Sequence, residues 1–194
     1  DDFVELEKSA TGKDIRFESA VKVIDIHITN GDIEDKLINK IDGYKKKYKK
    51  EHQTNLLDLK KYQVLFFLKD FEQLSSELKE KLKVLDRDNP LYNEFLDGLT
   101  LIMLFHDMDD ELSLFADGLL EIKKSNSLDA LEKFLLLNNS DMQVIVNLSS
   151  YYLSYIYIDL KNLDSARESL SKIIGDDIFS QFIVLLWAEI DDYV

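Results

Sequence analysis

Chemistry in this chain would have to come from carboxylates and three histidines, because there is no cysteine to act as a nucleophile, form a disulfide or supply a thiolate ligand. His106-Asp107 is the one adjacent pair with a chemical look: a His-Asp dyad on a helix, joined by further histidines, can hold a metal and activate water. Only His27 and His52 remain to join it, and their spacing does not suit a shared site. The pair is therefore read as a helix-terminal histidine beside a capping aspartate. Asp107, Asp109, Asp110 and Glu111 suggest calcium, but an EF-hand loop starting at Asp107 needs Gly at its sixth position and Glu at its twelfth, where Leu112 and Gly118 stand. The cluster reads as the acidic start of a helix. With no phosphate-cradling glycine loop, nucleophile elbow or metalloprotease motif present, no catalytic residue, no metal and no cofactor is expected. A metal-dependent helical hydrolase using His106 and Asp107 is the alternative from the enzyme class.

One other residue group invites a binding role. Lys45, Lys46, Lys47, Lys49 and Lys50 place five lysines in six residues, a pattern found on membrane-surface and nucleic-acid patches. No aromatic stacking platform accompanies them and the whole chain is acidic, so the reading adopted is a solvated helix end that complements the helix dipole. The formal charge is -14, and it is uneven: residues 1–97 carry 18 Lys+Arg against 21 Asp+Glu, while 98–194 carry 6 against 17. Nucleic-acid binding needs a positive surface to displace counterions, so it is not expected. A partner with apolar or basic character fits better. Asn138 and Asn147 sit in Asn-X-Ser sequons that an Asn-rich chain acquires by chance.

The elements that would position these groups are helical. Glycine is scarce (6), proline single (Pro90) and hydrophobic residues make up 45%, which disfavours the many turn-bounded strands of a β fold and predicts an all-α chain. Residues 1–13 read as a loose lead-in with a short amphipathic piece at 3–6. Phe17, Ala20, Val21, Ile24 and Ile28 follow helical spacing, although Val21 to Ile28 also alternate as a strand would; helix is preferred. Asn30-Gly31 suits a helix C-cap or a hairpin turn. Asp32 can cap a helix bearing Ile33, Leu37, Ile38, Ile41 and Tyr44, and the two helices make a pair over 14–50.

From residue 54 onward, apolar stripes and short breaks predict about eight helices in antiparallel succession. Leu56 to Leu68 is apolar around most of its circumference, so that helix should be buried on several sides. Asp70 with Gln73, and Ser140 with Gln143, are capping pairs, and Asn89-Pro90 reads as N-cap and first helical position. Leu128, Leu131, Phe134, Leu135 and Leu137 are the apolar positions of the helix after Ser127. Segments start near 54, 91, 127 and 163, a spacing of 36 or 37 residues that marks a two-helix repeat.

The best-formed hairpin, residues 141–174, resembles a tetratricopeptide repeat. Ala166 holds the small position of the second helix, Leu170 and Ile173 the next two consensus positions, Leu163 the one before, and Tyr157 and Leu153 the matching positions of the first helix. One period of 36 residues earlier, Ala130, Phe134 and Leu137 take the places of Ala166, Leu170 and Ile173, and Asp70-Phe71-Glu72-Gln73-Leu74 with Leu78 resembles a third copy. Departures are Ser154 at the small position of the first helix, Lys161 at the position often Gly, and Ile178 for the closing proline. The helix over 109–122 is expected to put the phase out by one helix.

The resemblance covers 54–194 and implies one continuous solenoid of antiparallel helical hairpins acting as a non-enzymatic protein-protein interaction scaffold; a dedicated helical chaperone of one protein is the alternative. It further implies that the first helix of each repeat lines a groove, which turns Tyr151, Tyr155, Ile158 and Asp159 toward a partner, unless the tyrosines fill the core. The basic and Asn residues that clamp a peptide carboxylate in that family are missing here. Residues 178–190 leave little polar surface, so Phe179, Phe182 and Trp187 are expected to contact a partner chain or a second copy. That stretch is too short to span a bilayer. The chain begins at Asp1 rather than Met, which keeps both the cytoplasm and the bacterial envelope open as its location; the Lys, Ile, Asn and Phe content has the look of a bacterial AT-rich coding bias.

Overall fold

A computed structural model describes residues 2–174, and these form ten helices with no strand among them. By its contacts the chain divides into two compact units, Asp1–Asp109 and Asp110–Val194. The boundary falls inside the 54–194 stretch expected as one array.

The first unit holds α1 (Asp2–Ser9), α2 (Lys13–Asn30), α3 (Asp35–Lys47), α4 (Glu51–Phe67), α5 (Phe71–Val84) and α6 (Tyr92–Leu104). Each packs on the next in sequence up to the α2/α3/α4 group, where α2 also meets α4, and α4, α5 and α6 continue the succession. The lead-in expected to be loose contains α1, packed on α2. The helix-or-strand ambiguity of residues 13–30 resolves to helix: Phe17, Ala20, Ile24 and Ile28 are buried at intervals of three or four, a single face on a period of 3.6. Gly31 closes it at φ 76°, with its N–H on the Ile28 carbonyl at 3.0 Å and the Asp32 N–H on the His27 carbonyl at 2.9 Å. This is a Schellman cap, where the left-handed backbone suits glycine. Because Asp32 is used in closing α2, the N-cap of α3 falls to Glu34, which makes no side-chain cap bond. The core joins Ile24 and Ile28 to Leu37, Ile41 and Tyr44 of α3 and Leu57 and Val64 of α4.

The second unit holds α7 (Asp109–Lys123), α8 (Ser127–Leu137), α9 (Gln143–Asp159) and α10 (Leu163–Ser171). Three connections, α4 to α5, α7 to α8 and α9 to α10, share one design. Lys69, Ser125 and Lys161 take left-handed backbone at φ 63°, 59° and 60°, and each is followed by an Asx residue at the N-cap of the next helix: Asp70, Asn126 and Asn162. Asp70 accepts from the Gln73 N–H at 3.2 Å and Asn162 from the Ser165 N–H at 3.3 Å. Asn126 instead donates its amide to Glu121 at 2.7 Å. Counting from these caps, the fourth and eighth residues are buried in every case: Leu74 and Leu78, Ala130 and Phe134, Ala166 and Leu170.

α7 approaches α8 at a glycine. A Cβ built on Gly118 would lie 2.8 Å from the Phe134 ring, so glycine is what lets α7 approach α8. Gly118 precedes Ala130 by the same twelve residues that separate Ser154 from Ala166. Both pairs of small residues thus share one spacing, Gly118 with Ala130 and Ser154 with Ala166. Two expected caps also shift. Asn89 and Pro90 lie in a turn ahead of α6, where Asn89 accepts from the Leu91 N–H at 3.0 Å, and Tyr92 is the first helical residue. Ser140 accepts from the Met142 N–H at 3.2 Å, and Gln143 turns its amide to Asn147 at 2.8 Å instead of back to the cap. In both places a local Asx or Ser turn satisfies the side chain before the helix begins.

Candidate partner-binding face

α9 carries most of the residues singled out for binding, and the structure divides them by depth. Tyr152 belongs to the interior: its ring stacks on Phe134 at 5.0 Å and meets Phe115 edge-on at 5.4 Å, while Phe115 and Phe134 meet edge-on at 5.7 Å. Three helices therefore meet in one aromatic cluster. Burial, with the neighbouring Tyr151 as a lesser cause, pushes the Tyr152 phenol up to about 12. Ile158 is also core, 4% exposed and packed with Ala166 and Leu170. Tyr151 is half-buried against that cluster and edge-on to Tyr152 at 5.3 Å.

What reaches solvent is Tyr155, 49% exposed, and one turn further along the same side Asp159, also exposed. Asp159 accepts a hydrogen bond from the Ser127 hydroxyl at 2.6 Å, which brings the start of α8 beside the end of α9. Leu128, 70% exposed, and Leu160, 37% exposed, stand at that junction, and with Ser125, Asn126, Ser127 and Asp129 they line a shallow hollow. The result is a small mixed surface in which two leucines stand among hydroxyl, amide and carboxylate groups. Asp159 is brought to it through Ser127, and Tyr155 is exposed one turn earlier on α9; Tyr151 is not free of the core, and Ile158 is lost to it. Phe179, Phe182 and Trp187 lie outside the described residues.

Sequence reasoning missed Ser127, Leu128 and Leu160. Leu128 was assigned to the apolar face of its helix with Leu135, yet Leu135 too is 43% exposed. The signal that separates them is phase: Ala130, Phe134 and Leu137 form the buried line, and residues at 128 and 135 lie off it.

The remaining chemistry-bearing groups are accounted for elsewhere. His106 Nδ1 lies 3.3 Å from Asp107, with side chains 81% and 87% exposed; Asp107 has left-handed backbone at φ 62° rather than a capping role. Among the described residues no three His, Cys, Asp or Glu side chains are grouped to hold a metal ion. The lysine run is not a uniform cationic surface. Lys45 pairs with Asp58, Lys50 with Asp14 at 3.0 Å, and Lys47 lies over the Tyr48 ring at 5.1 Å from its centre. Asp58 pairs at the same time with Lys81 of α5 at 2.6 Å, and Lys81 reaches Asn55 at 2.7 Å and the Phe95 ring of α6 at 5.5 Å. Next to it Tyr62 donates to the Glu77 carbonyl at 3.3 Å; burial, then the Asp58 and Glu77 charges, hold its phenol well above the ordinary range. That network joins α3, α4, α5 and α6 through polar groups.

The sequons are occupied by structure. The Asn138 amide donates to the Val146 carbonyl, Ser149 and Ser150 at 3.2, 3.0 and 2.7 Å, and Asn147 is 3% exposed. Neither amide is presented for modification.

Comparison with family models, curated proteins and solved structures finds no match. No helix among the described residues is long and apolar enough to cross a membrane.

Proposed function

We propose that this protein is a non-enzymatic scaffold of tetratricopeptide-like hairpins that binds another protein at the Tyr155–Asp159 face of α9. The hairpin reading is supported by the shared left-handed turn and Asx cap at three connections, and by small residues Gly118, Ala130, Ser154 and Ala166 in two hairpins 36 residues apart. The observation that carries the binding reading is the set of exposed residues on α9 and the start of α8: Tyr155, then Asp159 bonded to Ser127, with Leu128 and Leu160 at the same junction. A tyrosine with a leucine rim favours an apolar side chain, and Asp159 with Asp129 favours a cation next to it. Residues 110–194 carry 15 Asp+Glu against 6 Lys+Arg, a field that steers a basic segment toward this unit. The partner is therefore an apolar segment or helix bearing Lys or Arg.

The half-buried state of Tyr151 sets the experiment. Tyr155→Ala removes a ring that is 49% exposed, so it should weaken binding of the co-purified partner about tenfold or more, on the scale of an interface anchor, with a smaller fall in the thermal midpoint than Tyr151→Ala. Tyr151→Ala should lower the midpoint. Unchanged affinity in the Tyr155 variant would remove this face from the account.

A further inference from the structure

The first unit holds a second concentration of positive charge, apart from the network around Asp58. Lys13, Lys47, Lys49 and Lys50 line one hollow of about 400 Å³ with Tyr48, Gln53 and a single carboxylate, Asp14. Asp14 is already engaged: its Oδ1 takes the Lys50 ammonium at 3.0 Å and lies 3.5 Å from the Gln53 amide nitrogen. Lys13 and Lys49 are exposed and have no carboxylate partner among the described residues, and Lys47 has only the face of the Tyr48 ring. Three ammonium groups are left without a counter-charge around one concavity.

The backbone adds donors of the same sign. Lys13 and Asp14 open α2, and Lys50 and Gln53 belong to the start of α4, so the Asp14–Lys50 pair sets two helix N-termini side by side. Neither has a side-chain cap, and the first N–H groups of a helix find no acceptor within it. The lining is also polar where it is buried: Gln53 is 3% exposed and Tyr48 5%. The Tyr48 hydroxyl is buried with no hydrogen-bond partner among the described residues, a donor whose desolvation goes unrecovered without an acceptor. Unpaired ammonium groups, uncapped helix starts and an unmet hydroxyl share one complement, a compact anion rich in acceptor oxygens.

We propose that this hollow binds the diphosphate group of a small soluble molecule, with Lys13, Lys47, Lys49 and Lys50 supplying the charge and Asp14 acting as the built-in counter-ion that the ligand displaces. A diphosphate carries enough charge to engage several ammonium groups at once, which one carboxylate does not. The ligand is small because the chain's formal charge of -14 repels an extended polyanion such as a nucleic acid or an anionic bilayer. A compact anion responds chiefly to the lysines within a Debye length of about 8 Å. The site uses no residue of the α9 face.

Titration of the full chain with inorganic pyrophosphate at constant ionic strength, followed through the backbone amides by NMR, tests this. The wild-type protein should saturate with one equivalent, and the largest shifts should fall on Lys13, Asp14, Lys49 and Gln53. Lys13→Gln with Lys49→Gln, both at exposed positions, should weaken binding at least about tenfold. Lys79→Gln with Lys83→Gln on α5 removes the same charge elsewhere and should leave binding unchanged. Asp14→Asn, which removes the competing carboxylate, should tighten binding about two- to fivefold. Absence of saturation in the wild type, equal weakening by the two double variants, or no tightening in Asp14→Asn overturns the proposal. Retention on vesicles containing phosphatidylinositol bisphosphate, or on single-stranded DNA, that excess pyrophosphate does not reverse also overturns it, by assigning the lysines to a macromolecular surface. Should the Lys13 and Lys49 double variant lose its fold, Asp14→Asn decides: tighter binding supports the site, and unchanged binding overturns it.

Discussion

A carboxylate that is 8% exposed and set between two lysines ties three helices at one atom pair. Asp58 of α4 faces Lys45 of α3 and Lys81 of α5, whose side chains are 32% and 14% exposed. Burial makes each of these charges costly without the others, so removing the shared partner leaves two cations behind. Asp58→Ala should cost about 3 kcal/mol, at the lower end for a broken buried pair because Lys45 can swing partly into water. The triple variant Lys45→Met, Asp58→Leu, Lys81→Met should recover most of that loss, since apolar groups of similar size carry no desolvation debt. Urea denaturation of the three proteins measures it; Asp58→Ala within about 1 kcal/mol of wild type would show the network to be solvated and dispensable.

Residues of this kind are where the sequence was least legible. The chain holds 38 Asp and Glu, and nothing local separates Asp58 from the rest, because its distinction comes from lysines 13 and 23 residues away. Lys45 was read with its neighbours as a solvated run, and only the fold shows that it turns inward. Asn147 was hidden similarly: its sequon drew attention to the amide as an acceptor for sugar, while its use is to meet the Ile174 N–H at 3.1 Å and the Ile174 carbonyl at 2.8 Å.

At the scale of elements far more was readable. The Asp70 cap and the Asn30-Gly31 stop follow from backbone rules that act over four residues, and the structure has both. Asn89 and Ser140 failed as N-caps because the same short side chains also satisfy a turn two residues on, a choice that local sequence leaves balanced. Gly118 was not recognised as a contact residue, because its role depends on the Phe134 ring reaching it across the turn; Gly118 and Ala130 stand 36 residues ahead of Ser154 and Ala166.

That contact has a measurable consequence. An exposed helical glycine gains roughly 1 kcal/mol on replacement by alanine, but here the new methyl meets a Phe134 ring that is 0% exposed and stacked on Tyr152. Overpacking of this sort costs about 1–3 kcal/mol, so Gly118→Ala should lose roughly 1 kcal/mol net. Phe134→Leu in the same chain should relieve the clash, making the pair less than additive. A more stable Gly118→Ala would mean that α7 and α8 stand further apart than described.

For the whole molecule, helical class was legible from composition and periodicity, whereas the division into units 1–109 and 110–194 was not, since no Pro- or Ser-rich linker marks it and α7 begins at the boundary itself. The division bears on function. Tyr155, Asp159, Leu128 and Leu160 all belong to the second unit, the more acidic one, and the lysine network belongs to the first. The proposed binding and the lysine network therefore fall in different units, and Asp58→Ala is expected to leave the proposed partner recognition in place wherever the protein stays folded.

The most direct measurement is photo-crosslinking from position 155 in the native cell. With a photoreactive phenylalanine analogue replacing Tyr155, the account predicts one discrete covalent adduct to another protein, joined through a segment that pairs apolar residues with Lys or Arg, and no such adduct from the same analogue at Glu168, an exposed position on α10. Adducts at 155 that match those at 168 in identity and yield, or none at either, would contradict it.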